Sequence, residues 1–76
     1  MNKDMFDSKW KEIRSQSNGW WSLMTDDELD KVAKSAVKFD KYVTLLQVKY
    51  GYTRDQARKE ISKRMTEFEA RQKLIS

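Results

Sequence analysis

Met24-Thr25-Asp26-Asp27-Glu28-Leu29 spells out the start of a helix. A threonine at the N-cap accepts from the backbone N–H three residues on, a glutamate at that position reaches back to the cap, and a run of acids faces the positive helix end. Met24 before the cap and Leu29 in the first turn form a hydrophobic staple. The adjacent carboxylates do not make a metal or acid–base site, because consecutive helical side chains diverge by about 100° and cannot converge on one ion.

Downstream of Leu29, the residues Val32, Ala33, Ala36, Phe39, Val43, Leu46 and Tyr50 recur at helical spacing. Their stripe drifts around the helix and leaves Tyr42, Leu45 and Val48 outside it. A single helix would have to twist across two partners, so a break or kink near residues 35–40 is expected. Tyr50-Gly51-Tyr52-Thr53 is a stop followed by a start. Gly51 suits the left-handed position after a helix end, and Thr53 with Gln56 forms a second capping box. The last helix carries Ala57, Ile61, Met65 and Phe68 inward and is predicted to end near Lys73. Glu60 with Arg64 and Glu67 with Arg71 stand four apart in the favourable order for ion pairs.

Upstream of the capping box, a helix is expected from about Lys3 or Asp4 to Ser15, with Asn2 or Asp4 near its start and Phe6, Trp10 and Ile13 on one face. Ser15-Gln16-Ser17-Asn18-Gly19 is rich in side chains that bond the local backbone, and predicts a turn with Gly19 left-handed. Trp20, Trp21, Leu23 and Met24 follow. No Lys or Arg occurs between Arg14 and Lys31. The tryptophans therefore lack the neighbouring cations that stacking on single-stranded nucleic acid calls for, and core packing is the expectation.

The 76 residues are 38% apolar, enough for one small core, so residues 1–76 are read as a single domain. Proline is absent, glycine occurs only at positions 19 and 51, and no stretch sustains period-2 alternation. The class is all-α, a small bundle of four helices in which residues 26–50 form two helices or one long kinked one. Cysteine and histidine are both absent. That removes disulfides, thiolate nucleophiles, histidine-based triads and most zinc sites. With no phosphate-binding loop and no constellation of nucleophile and base, the chain reads as a non-enzyme, and no cofactor, metal or small-molecule substrate is expected. No secretory apolar segment follows Met1, and no run approaches the ~20 apolar residues of a membrane span, so a cytoplasmic protein is expected.

The net charge of +4 is unevenly placed. Residues 1–38 hold seven basic and seven acidic side chains, and residues 39–76 hold nine and five. Lys49, Arg58, Lys59 and Lys63 form the candidate polyanion contact. On α-helical spacing, Lys59, Lys63 and Lys73 face outward and Arg58 lies closer to the core edge. Interspersed charge of both signs is equally what a solvated helical surface needs.

Asn2-Lys3-Asp4, Trp10-Lys11, Trp21, the run from Thr25 to Asp30, Leu46-Gln47, Tyr50-Gly51-Tyr52-Thr53 and Ala57 together resemble the CsbD-like general stress protein family of bacteria. The resemblance covers nearly the full length and is most specific at Trp10, Trp21, Thr25, Glu28, Leu29, Tyr50, Gly51, Tyr52 and Thr53. It implies a small cytoplasmic four-helix protein associated with stress responses, of unknown molecular activity. The chain departs from the family pattern between Leu29 and Gln47, which is longer and lacks the usual glycines, and in its extension from Thr66 to Ser76. The function expected is that of a non-enzymatic, stress-associated protein acting through surface contacts, with a protein partner or by self-association. The alternative is a nucleic-acid-binding module that uses the basic C-terminal half.

Overall fold

The Thr25 capping box closes as its spacing predicts. In the computed structural model, which describes the backbone of residues 3–75 and the side chains of residues 3–71, the Glu28 amide donates to Thr25 Oγ1 at 3.2 Å and the Thr25 amide donates to Glu28 Oε1 at 3.1 Å. Met24 and Leu29 are both buried, as the staple requires. The helices are α1 (Lys3–Ser8), α2 (Trp10–Trp20), α3 (Asp26–Lys34), α4 (Lys38–Tyr50) and α5 (Arg54–Ile75), with no strand among the described residues. Asn2 and the side chain of Lys73 lie outside the described residues.

Five segments stand where four helices were expected because the first is interrupted at Lys9, whose φ of −104° and ψ of 13° leave the helical region. Hydrogen bonds from Lys9 N to Met5 O at 3.1 Å and from Ile13 N to Lys9 O at 3.0 Å run across the kink, so α1 and α2 make one bent arm.

The expected turn at residues 15–19 does not form, and Gly19 is helical with a negative φ. The reason is local. Ser15 Oγ donates to Glu12 O and Ser17 Oγ to Ile13 O, each at 2.7 Å, so both hydroxyls spend their hydrogen on helical carbonyls and do not compete for the backbone. The chain leaves the helix two residues after Gly19, where Trp21 turns extended and its N–H closes on Ser17 O at 2.8 Å.

The predicted break near 35–40 falls at residues 35–37, where Ser35 Oγ accepts from Val37 N at 3.1 Å. The break resets the helical phase and so corrects two placements. Tyr42, outside the sequence stripe, is fully buried beside Phe39, Val43 and Leu46, and Ala36, inside it, is exposed. Val48 remains outside as expected, 77% exposed.

Helix α4 is the hub of the bundle, packed against α1, α3 and α5. At its centre the Tyr42 ring meets Phe6, Trp21 and Trp10 edge-on, at centroid separations of 5.2, 5.9 and 6.0 Å. Edge-to-face rings of this kind contribute about 0.5–1.5 kcal/mol per pair beyond the area they bury. The Tyr42 hydroxyl lies 2.8 Å from Ser17 Oγ. Because Ser17 already spends its one hydrogen on Ile13 O, Tyr42 is the donor. Burial pushes the Tyr42 phenol well above its usual range, which keeps it a donor at any ordinary pH.

Candidate functional site

The residues that carry the family resemblance are the joints of the fold. Gly51 takes a φ of 72° after α4, and its N–H donates to Gln47 O at 3.0 Å. The side chain of Gln47 accepts from Arg54 Nη1 at 3.0 Å, so one residue receives both ends of the α4–α5 turn. Thr53 Oγ1 accepts from Gln56 N at 3.1 Å and caps α5, half of the expected box. Tyr50 and Tyr52 stack at 5.7 Å, and the Tyr50 hydroxyl accepts from Leu23 N at 3.0 Å, tying the end of α4 to the loop before α3. Trp21 is buried, and Trp10 is half-buried against the core.

Charge stitches the same joints. Lys49 Nζ lies 2.7 Å from Glu28 Oε1, joining the last turn of α4 to the first of α3. That bond, with those from Thr25, holds the Glu28 carboxyl below its usual range. Asp40 receives Lys3 Nζ at 2.9 Å and Arg54 Nη2 at 3.5 Å, and the lysine foremost holds its carboxyl low as well. Lys9–Glu69 and Arg14–Asp30 close at 2.9 and 2.6 Å.

These pairings divide the four candidate polyanion residues. Lys49 is committed to Glu28, and Arg58 lies 3.7 Å from Asp55 and also faces Asp40. Lys59 and Lys63 are exposed on α5, with no hydrogen-bond or ion-pair partner among the described residues. The structure does not bring the four into one patch of free cations. The ion pairs Glu60–Arg64 and Glu67–Arg71 also do not close among the described residues.

The two arginines freed in this way define a feature that the sequence did not reveal. Arg64 lays its guanidinium 5.5 Å from the centroid of the buried Trp21 ring. Arg64, Glu67, Phe68 and Arg71 of α5, with Gln16 and Trp20 of α2, line an open groove of about 270 Å³. Trp20 is only partly buried there, edge-on to Trp21 at 5.9 Å and to Phe68 at 6.2 Å. The cations missing from the neighbourhood of Trp20 in sequence are thus supplied by two arginines more than forty residues downstream. A signal for it was present, since Arg64, Phe68 and Arg71 share one side of α5 at four- and three-residue steps.

Fold and surface together define a small all-α bundle with an arginine-lined aromatic groove. Among the described residues no cluster of Asp and Glu is set to hold a metal, and no helix is long and apolar enough to cross a membrane. Over 61 residues, 80% of the chain, it is 34% identical to a UPF0337 protein of Bordetella pertussis, of which 88% is covered. Over the same length it is 36% identical to the UPF0337 protein YjbJ of Escherichia coli, 84% covered, and to YjbJ of Salmonella typhimurium, 83% covered. The chain belongs to this UPF0337, or CsbD-like, family. No family model matches it, and no solved structure does.

Proposed function

We propose that this is a non-enzymatic, stress-associated cytoplasmic protein that works through contacts made by its surface, with a protein partner or a second copy of itself. The association with stress and the cytoplasm follow the CsbD-like resemblance. The observation that supports a contact role is Trp20. Trp21 is buried and Trp10 and Trp20 are both partly buried against the core, but Trp20 also lines an open groove beside two arginines that have no carboxylate partner among the described residues. Partly exposed tryptophan and arginine are the residue types that dominate contact surfaces.

Sedimentation velocity over a concentration series, for wild type and Trp20→Ala, tests the self-associating form. A mass that rises with concentration in wild type and not in the variant, at unchanged helicity, is the expected result. A monomer at every concentration assigns the face to a different molecule. Turnover abolished by one conservative surface substitution would sink the non-enzymatic reading.

Nucleic-acid binding is the second reading, and exposed Lys59 and Lys63, which have no partner among the described residues, favour it. It uses these two foremost, because Lys49 and Arg58 already carry carboxylate partners. Co-sedimentation with a labelled mixed-sequence oligonucleotide that weakens with salt, and is lost on Lys59→Glu with Lys63→Glu, supports it.

A further inference from the structure

We infer that the groove between α2 and α5 is a site for single-stranded nucleic acid, one unpaired base lodging against Trp20 and Phe68 while flanking phosphates meet Arg64 and Arg71. The inference rests on the nucleic-acid reading above and gives it a ligand class and a place.

The groove offers a group for each part of a nucleotide. Trp20 and Phe68 present aromatic surface, on which any base can stack. Arg64 and Arg71 carry guanidinium forks suited to phosphate, and neither has a carboxylate partner among the described residues. Gln16 and Glu67 line the same groove and offer polar groups for a base edge. Glutamate accepts from an exocyclic amine such as that of cytosine.

The aromatic rings decide against the competing occupant. A carboxylate-rich peptide would meet the two arginines but carries no flat ring for Trp20, whereas Glu67 repels either anion alike. The groove is open and about 270 Å³, room for one base with the strand entering and leaving through its open side. A duplex base is stacked inside its helix and cannot reach the groove, so single strands are selected.

The test is fluorescence anisotropy of labelled dC12 titrated with the full chain, beside the dC12·dG12 duplex and with polyglutamate as competitor. Wild type is expected to bind dC12 more tightly than duplex, with an affinity that falls as salt rises. Trp20→Ala should weaken binding roughly 5- to 150-fold, the range for losing one stacked base, and Trp20→Phe should restore most of it. Arg71→Gln should flatten the log–log salt slope by about 0.7, one phosphate contact on a single strand. Circular dichroism of each variant separates lost binding from lost folding.

Equal affinity for duplex, or displacement by polyglutamate at matched charge, overturns the inference. So does binding that Lys59→Glu with Lys63→Glu abolishes while Trp20→Ala and Arg71→Gln leave it intact, although the nucleic-acid reading then survives on the lysines. No binding to either nucleic acid removes both, and leaves the protein-contact reading to the sedimentation series.

Discussion

Residues 15–19 and residues 50–53 look alike in sequence: each has a glycine among polar or aromatic residues at the end of an amphipathic run, and each predicts a turn. Only the second turns. At Gly51 the backbone takes a φ of 72°, which a side chain tolerates poorly, and Thr53 caps the next helix at once. At Gly19 the helix runs on, because Ser15 and Ser17 have bonded to carbonyls one turn back and Ser17 is gripped by Tyr42. A glycine marks a stop where a left-handed residue and a fresh N-cap follow; a serine-rich approach does not make one.

The largest effect is expected where α2 is held helical. Ser17→Ala leaves the buried Tyr42 hydroxyl without its acceptor and should cost about 1–3 kcal/mol, read from denaturant unfolding. Tyr42→Phe should cost less, since Ser17 keeps Ile13 O, and the double variant should recover much of the Ser17→Ala loss. Two costs that simply add would break the account of residues 15–19.

Next comes the true turn. Gly51→Ala places a Cβ at a left-handed position and should cost about 1–2 kcal/mol, although the added methyl meets no atom within 4 Å. The penalty belongs to the backbone, so Gly51→Asn, which tolerates this region better, should lose less.

Local signals were the legible part of the fold. Both N-caps, the Gly51 stop, the break after α3 and Ala57, Ile61 and Met65 of the inward stripe stand where spacing put them, whereas Phe68, expected with them, is only partly buried and lines the groove. Tyr42 was misplaced because one helical wheel was drawn through a chain that breaks at 35–37. The C-terminal end of α2 was misread because Ser15 and Ser17 bond carbonyls of their own helix instead of competing for its backbone, and Tyr42 meets Ser17 there. The groove was missed for a further reason. Trp20 was judged against its sequence neighbours, whereas its cations come from α5, and the same arginines had been assigned to ion pairs within that helix.

A smaller effect separates the cap that forms a full box from the one that forms half. Thr25→Ala should cost about 1 kcal/mol, and Thr53→Ala less, since only one hydrogen bond to the α5 cap is lost. The full box also carries a pH signature. Glu28 titrates below its usual 4.5 in the folded chain, first because of Lys49, so its contribution is complete above that value and is lost as pH falls through the lowered one. Asp40, held low first by Lys3, adds a loss of the same sign below 3.8. Acid unfolding of Lys49→Met should show a shallower dependence on pH below 4.5 than wild type; an unchanged dependence would remove Glu28 from the joint.

The smallest effect has the opposite sign and completes the comparison of the two glycines. Gly19 has an ordinary helical backbone with nothing within 4 Å of an added Cβ, so Gly19→Ala should stabilise the protein by about 0.4–1 kcal/mol through the lower entropy of the unfolded chain. Gly19 also borders the groove beside Trp20, and the new methyl would enter the space proposed for the base. The variant should therefore melt higher and bind dC12 more weakly than wild type. A rise in melting temperature with unchanged affinity would place the base elsewhere on α5. A fall in both would return Gly19 to the class of Gly51, a residue answering to backbone geometry and not to what the groove accepts.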